Sequence, residues 1–307
     1  MFVRPTSYHI IPPGPELCCR REMDVLRVLT LNVWNRSGPW PERLRLIRDG
    51  IARLDAHVVG LQEVMRLVRP GTFEALSPEH DQAAEIADAF GYAIGYAGAA
   101  DYGNGLVMGN AVLSRFPLHE VQAFRLPDEG SGEGRSLLYA LVGAPWGRLP
   151  VFVTHLNWRF DHGYVRLKQV AFIAERIAEL APVRAGELPP VLMGDFNAAP
   201  EADEIRYLVG LHVLDGKSVH FADAWVYGGD GSPGATYDPR NDYALRNREP
   251  PRRIDYVFSR GPDAELRGEP LHARLAFHEP APSQNGTLWP SDHFGVYAEI
   301  MMAARSL

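Results

Sequence analysis

Short apolar runs alternate along this chain with longer segments in which apolar residues recur at every third or fourth position. The short runs predict buried β-strands, and the wider spacing predicts amphipathic helices. The clearest helix is predicted at 164–180, with Leu167, Val170, Ala174 and Ile177 on one face. The other predicted elements are helices at 41–54 and 82–90 and strands at 25–31, 58–61, 92–96, 106–113, 137–142, 151–154, 191–193, 254–259, 271–277 and 294–301. This alternation predicts an α/β fold.

The first 22 residues differ from the rest, because they show neither helical nor strand periodicity and no apolar stretch long enough for a signal peptide. Both cysteines, Cys18 and Cys19, lie in this segment, so no disulfide framework is available to the remainder. We interpret residues 1–22 as a disordered or loosely attached extension and residues 23–307 as one folded domain. Met23 directly precedes the first predicted strand and is an alternative start of translation.

Composition and charge narrow the class of protein. The hydrophobic content of 46% is ample for a large core, and no run of 18 apolar residues is present to span a membrane. The formal net charge of -7 gives no general attraction for polyphosphate, so duplex nucleic acid is disfavoured as a partner without being excluded. We expect a monomer located in the cytoplasm.

Six short polar clusters lie at the ends of predicted strands, where a sheet delivers side chains to an active site. They are Leu31-Asn32, Leu61-Gln62-Glu63, Thr154-His155-Leu156-Asn157, Gly194-Asp195-Phe196-Asn197, Arg253-Ile254-Asp255-Tyr256 and Ser291-Asp292-His293. Asn, Glu, Asp and His at these points are typical of a site that combines a hard cation, a general base and a phosphate-binding imidazole.

The order of these clusters resembles the endonuclease/exonuclease/phosphatase superfamily, whose members include DNase I-like nucleases, neutral sphingomyelinases and inositol phosphate phosphatases. The resemblance extends from about Val25 to Ile300. Its most specific pieces are LQEV at 61–64, GNAVLSR at 109–115, GDFNA at 194–198, RIDYVF at 253–258 and SDHFGV at 291–296. It implies that residues 23–307 are a catalytic domain with a DNase I-like four-layer α/β sandwich, in which two packed mixed sheets are flanked by helices.

The resemblance implies that Glu63 is the principal ligand of Mg²⁺ or Mn²⁺. These cations prefer oxygen ligands and retain waters, so one or two carboxylates suffice. Asn32 can add a carbonyl oxygen, and Asp292 can hold the metal directly or through water. For Glu63 alone, the alternative is a helix cap or an ion pair with Arg66.

Asp195 and Asn197 follow the strand predicted at 191–193, and their spacing lets both point into one cleft. In the family this Asp orients or deprotonates the attacking water, and this Asn binds a phosphoryl oxygen. The alternative for an isolated pair of this kind is an Asx turn that closes a strand.

Two histidines are imidazole candidates. By resemblance, His293 stabilises the transition state, and Asp255 fixes its orientation and raises its pKa. His155, together with Asn157, contacts the phosphate from the opposite half. A lone histidine is otherwise more often a structural or surface residue.

Two further residues are candidates for contact with substrate phosphate. Asn110 lies in GNAVLSR, although it can instead support the geometry of the site. Arg135 begins a predicted strand, where a solvated arginine at the strand edge is the alternative. Five arginines before Asp255 form either a phosphate-steering patch or an ordinary charged loop: Arg240, Arg246, Arg248, Arg252 and Arg253.

One position departs from part of the family. Some DNA-repair members carry a second acidic residue two positions after the first Asn, where this chain has Trp34. The pattern is therefore closer to sphingomyelinase-like phosphodiesterases and disfavours a two-metal or abasic-site enzyme. Four aromatic residues near the predicted cleft can pack on a lipid, a sugar or a nucleobase, or belong to the core: Trp34, Trp40, Trp158 and Phe160.

We therefore expect a Mg²⁺- or Mn²⁺-dependent phosphoesterase that hydrolyses a phosphodiester of a small or lipid-derived substrate by in-line attack of water. One alternative is a DNA or RNA endonuclease or exonuclease. An alternative from another class is a non-catalytic protein that binds a phosphate ligand on the same scaffold.

Overall fold

The computed structural model describes residues 24–69, 72, 74–184, 187–283 and 286–303. Residues 1–22, predicted to be an extension, and Met23 lie outside the described residues, and the boundary at Met23 stays a prediction. No helix in the described ranges is long and apolar enough to cross a membrane.

The strands and helices are numbered in chain order. The strands are β1 (Val25–Asn32), β2 (Val58–Leu67), β3 (Ala93–Asp101), β4 (Leu106–Ser114), β5 (Leu118–Arg125), β6 (Ser136–Ala144), β7 (Gly147–His155), β8 (Val191–Asp195), β9 (Ala222–Asp223), β10 (Asp255–Ser259), β11 (Pro270–Ala276), β12 (Ala281–Ser283), β13 (Gly286–Leu288) and β14 (Gly295–Met301). The α-helices are α1 (Trp40–Leu54), α2 (Gln82–Ala87), α3 (Gly163–Leu180), α4 (Asp203–Leu208) and α5 (Ala224–Gly228). Short 3-10 turns lie at Pro78–His80, Phe160–His162 and Ala244–Asn247.

Two six-stranded mixed sheets form the centre of the fold. Their strand orders are β11-β14-β1-β2-β4-β3 and β5-β6-β7-β8-β10-β9, while β12 and β13 form a separate hairpin. The two sheets have matching centres: β1 runs parallel to β2 and antiparallel to β14, and β8 runs parallel to β7 and antiparallel to β10. The prediction of two mixed sheets flanked by helices is confirmed.

The inner faces of the two sheets share one apolar core, which includes Val28, Val58, Val153 and Met193. Packing is tight there, because a Cβ added to Gly60 on β2 would lie 2.8 Å from the Met193 sulfur on β8. The outer face of the first sheet is covered by apolar residues of α1 and α2, and that of the second by apolar residues of α3 and α4. The result is a helix–sheet–sheet–helix sandwich.

The structure adds elements that the hydrophobic pattern does not reveal. β5 is an edge strand in which every residue of the sequence LHEVQAFR is exposed or only partly buried, and it contains no apolar run. α4, α5, β9, β12 and β13 are each six residues or fewer, too short to show a period. The helix predicted at 82–90 ends earlier, at Ala87, and β2 and β3 extend beyond their predicted ends.

Candidate active site

Polar residues from both sheets meet at one end of the sandwich, around a cavity of about 360 Å³. The first sheet contributes Asn32 at the end of β1, Glu63 on β2, and Asp292 and His293 just before β14; the second contributes His155, Asp195 and Asp255 from β7, β8 and β10. Seven of the predicted site residues line the cavity: Glu63, Arg135, His155, Asp195, Asn197, Asp292 and His293. The other four, Asn32, Asn110, Asn157 and Asp255, are buried behind its wall.

Glu63 lies in a bulge of β2. The pairing of β2 with β4 shifts register between Leu61 and Val64, and Glu63 has a φ of 60°. A non-glycine residue in this left-handed region is strained, and a bulge re-aims its side chain. The Glu63 carboxylate accepts hydrogen bonds from the side-chain amides of Asn32 (3.2 Å) and Asn35 (3.0 Å). Arg66, the alternative partner, instead pairs with Asp81 at 2.5 Å.

Asp292 lines the same cavity as Glu63 and lies within reach of its charge. Ser291 donates its hydroxyl to the Asn32 carbonyl oxygen (2.6 Å), which ties this segment to the end of β1. Burial raises the pKa of Asp292 to about 7; the positive charge of His293 opposes this rise, and the negative charge of Glu63 adds to it. A buried carboxyl whose pKa a neighbouring carboxylate raises, in an oxygen-rich setting, fits a divalent cation, because the charge of the cation would stabilise the ionised form.

Arg43 is a residue of this region that the sequence reasoning did not identify. It is fully buried on α1, and its guanidinium donates to the carbonyl oxygens of Val33, Ser37 (2.6 Å) and Pro290 (3.0 Å). It thereby joins the loop after Asn32 to the segment before Asp292. The available signal was a charged residue four positions before Ile47, on the apolar face of the helix.

Asp195 is the last residue of β8, and the position before it, Gly194, requires glycine. Gly194 has a φ of 150°, and a Cβ there would lie 2.0 Å from the Thr154 carbonyl oxygen. Asp195 accepts the backbone N–H of Asn197 (2.9 Å) and the Asn32 side-chain amide (3.0 Å). Asp195 therefore closes an Asx-type turn and also lines the cavity, so both alternatives stated for this motif hold. Burial raises the pKa of Asp195 to about 6, Asp255 adds to the rise, and His293 opposes it.

The two imidazoles differ in charge. His293 is hydrogen-bonded through Nδ1 to Asp255 (2.9 Å), and its Nε2 lies 3.8 Å from Asp195. Burial lowers the pKa of His293, but the charges of Asp255 and Asp195 outweigh burial and raise it well above its ordinary value. His155 lies 3.4 Å from Asp195, and burial together with the charge of Arg135 lowers its pKa well below the ordinary value. The site therefore holds one cationic and one neutral imidazole.

Asp195, Asp255 and His293 form a metal-type group, with ligand atoms within 4.8 Å of one another. Because His293 is hydrogen-bonded to Asp255 and cationic, this trio is better described as an imidazolium between two carboxylates. The all-oxygen set of Glu63, Asp292 and the nearby amides is the better match to Mg²⁺ or Mn²⁺.

Three predicted phosphate contacts occupy different environments. Asn110 donates to the Ser136 carbonyl oxygen (2.9 Å) and thereby links the two sheets behind the cavity wall, without lining the cavity. Asn157 accepts the Arg159 N–H (3.1 Å), and its buried side-chain amide nitrogen has no protein acceptor. Arg135 is buried rather than solvated, lines the cavity and pairs with Glu133.

The predicted arginine patch is largely neutralised by carboxylates. Arg240 pairs with Asp238 (2.8 Å), Arg253 with Asp223 (2.7 Å), and Arg252 with Glu249. Of these arginines, only Arg252 lines the cavity.

The four aromatic candidates divide into two pairs. Trp34 stacks on Tyr243 at 4.7 Å between ring centroids, and Trp40 is buried in the core. Trp158 is 56% exposed and lines the cavity, and Phe160 is 60% exposed with the Arg252 guanidinium 4.5 Å from its ring centroid. The second pair is therefore available to a ligand.

Comparison with known proteins identifies a family for the chain and similar folds among solved structures. The Endonuclease/Exonuclease/phosphatase family model matches residues 29–293, whereas no curated protein is significantly similar in sequence. Truncated TDP2 from Caenorhabditis elegans is similar in structure, with a TM-score of 0.65 and 20% identity over 90% of this chain and 98% of that chain. An endonuclease/exonuclease/phosphatase from Beutenbergia cavernae has a TM-score of 0.66 and 24% sequence identity, over 91% of this chain and 72% of that chain. An endonuclease/exonuclease/phosphatase family protein from Bacteroides thetaiotaomicron has a TM-score of 0.66 and 20% sequence identity, over 92% of this chain and 98% of that chain.

Proposed function

Because the chain belongs to the Endonuclease/Exonuclease/phosphatase family and is a hydrolase of phosphoester bonds, we propose that it is a Mg²⁺- or Mn²⁺-dependent phosphodiesterase of small or lipid-derived substrates. The observation that carries this proposal is the convergence of two different half-sites on one cavity. The half-site from the first sheet is rich in oxygen ligands, and that from the second offers a buried carboxylate with phosphate-binding groups.

In this proposal Glu63 and Asp292 would hold the metal, with Asn32 and Asn35 orienting the Glu63 carboxylate. A divalent cation held there would supply positive charge to stabilise the phosphoryl and leaving oxygens. Arg43 keeps the two ligand-bearing segments together through the Pro290 carbonyl oxygen.

Asp195 accepts a proton from the attacking water, whose oxygen forms the new bond to phosphorus as the bond to the leaving oxygen breaks. Its pKa of about 6 leaves it ionised at neutral pH and still basic enough to take the proton. His293, held cationic by Asp255, donates a hydrogen bond to the charge that develops on the phosphoryl oxygens.

The remaining cavity residues bind the phosphoryl group. Arg135 has a buried Nε–H without a protein acceptor, as does the side-chain amide nitrogen of Asn157, and both groups can donate to an anion. His155 and Asn197 complete this set from the same half of the site. The catalytic domain is proposed to be a cytoplasmic monomer, which fractionation and size-exclusion chromatography would test.

The experiment measures hydrolysis of bis(p-nitrophenyl) phosphate by the full chain, in chelator and after addition of Mg²⁺ or Mn²⁺. We expect no hydrolysis in chelator, recovery with metal, and a loss of about 10²- to 10⁴-fold in kcat for Asp195→Asn with KM largely kept. Equal turnover by wild type and Asp195→Asn would show that this site is not catalytic and would favour a binding protein. Nicking of plasmid DNA faster than cleavage of every small diester would favour a nuclease.

A further inference from the structure

The cavity is lined by more negative than positive side chains. Five carboxylates line it, against two guanidinium groups and two imidazoles, and no lysine is among the described lining residues. Even with both imidazoles protonated, the negative charges outnumber the positive ones. With His293 cationic and His155 neutral, one divalent cation brings the net charge of this lining only to about neutrality.

Neither cavity arginine offers an uncompensated charge. Arg135 is hydrogen-bonded to Glu133, two residues earlier, and the Arg135 side chain is only 6% exposed. Arg252 is hydrogen-bonded to Glu249, three residues earlier, and its guanidinium also lies over Phe160. Glu133 and Glu249 also line the cavity, so a bound substrate lies near each guanidinium together with the carboxylate that neutralises it.

This arrangement distinguishes substrates by charge. A phosphodiester carries one negative charge, whereas a phosphomonoester carries nearly two above its second pKa of about 6. Because one divalent cation only neutralises this lining, the second charge of a monoester finds no excess positive charge and is repelled by the nearby carboxylates. The exposed faces of Trp158 and Tyr102 at the same cavity offer contact to an uncharged organic group instead.

We propose that the cavity selects phosphodiesters that carry a single negative charge and an uncharged second ester group, and that Glu133 and Glu249 set this selectivity by neutralising Arg135 and Arg252. The proposal rests on the phosphodiesterase function proposed above and names its substrate class. Phosphomonoesters and polyphosphates are poor substrates for the same reason.

The test compares kcat/KM for bis(p-nitrophenyl) phosphate and p-nitrophenyl phosphate in the full chain with saturating Mn²⁺ at pH 7.5. We expect the wild type to favour the diester and Glu249→Gln, which frees Arg252, to shift the ratio toward the monoester by about tenfold. The double variant Glu249→Gln/Arg252→Gln restores neutrality, and we expect its ratio to return to within about twofold of the wild type. Glu133→Gln repeats the comparison at Arg135.

Glu179→Gln is a matched control, because Glu179 pairs with Arg176 three residues away, at 2.5 Å, on an exposed face of α3. Its ratio should equal that of the wild type. A folded Glu249→Gln or Glu133→Gln protein with an unchanged ratio would overturn the inference, as would a wild type equally active on both esters. No hydrolysis of either ester would overturn the proposed function and the inference with it.

Discussion

Removal of the Asp292 charge should change how stability depends on pH in metal-free protein. The pKa of Asp292 is raised from 3.8 to about 7, chiefly by burial, with Glu63 adding to the rise. A raised pKa in the folded state stabilises the fold fully below the unfolded pKa, and this stabilisation is lost as pH rises through the folded pKa. Asp292→Asn has no such proton to lose.

The size of the effect follows from linkage. At 1.36 kcal/mol per pKa unit, the difference corresponds to about 4 kcal/mol. Because part of this is already lost between pH 4 and 5, about 3 kcal/mol remains to be lost between pH 5 and 8. Asp195, with a pKa of about 6, also makes stability fall as pH rises, but its contribution is present in both the wild type and Asp292→Asn and cancels in the comparison.

The assay is urea unfolding in chelator at several pH values from 5 to 8. We expect the free energy of unfolding of the wild type to fall by about 3 kcal/mol more than that of Asp292→Asn across this range. Added Mn²⁺ should recover the loss at pH 8 in the wild type and much less in the variant. Asp203→Asn on α4, with an exposed side chain paired to Arg206, is the control and should follow the wild type. Parallel curves for wild type and Asp292→Asn would refute the reasoning.

Two further predictions concern residues around the cavity. Arg43→Lys should lower the free energy of unfolding by about 3 kcal/mol and weaken Mn²⁺ binding measured by calorimetry, because an ammonium cannot reach the separate carbonyl oxygens that the guanidinium joins. Arg48→Lys, on the same helix, is the control and should leave Mn²⁺ affinity unchanged. Equal Mn²⁺ affinities in the two variants would contradict the role given to Arg43. Trp158→Ala should raise KM for bis(p-nitrophenyl) phosphate by about 2- to 10-fold with kcat within about twofold, because an exposed ring surface is lost. Retention of the wild-type KM would show that substrate does not touch Trp158.

The sequence predicted an α/β fold because apolar runs and helical periods depend on local order along the chain, whereas the sandwich of two mixed sheets was implied by the family resemblance. It also identified residues that the structure brings together from distant positions, such as Asn32 and Asp195, because both end a buried strand. The roles of these residues remain predictions. Their convergence on one cavity is what the fold adds.

Other features depend on contacts that no local pattern encodes. The raised pKa of His293 beside Asp255 was expected from the family resemblance, but the lowered pKa of His155, which burial and Arg135 cause, was not. Arg253 belongs to a run of arginines in the sequence, but the structure pairs it with Asp223, thirty residues away. The left-handed backbone of Glu63 likewise results from pairing with β4, which the motif LQEV cannot show.

The close contact between Gly60 and Met193 has a consequence for how this enzyme can change in evolution. Gly60 lies three residues before Glu63 and Met193 two before Asp195, so the thickness of the core at this point fixes the gap between the two half-sites. A larger side chain at one position would push apart groups that it never touches. We therefore expect a substitution that enlarges either residue of this pair to change the separation of the two half-sites as well as the stability of the core.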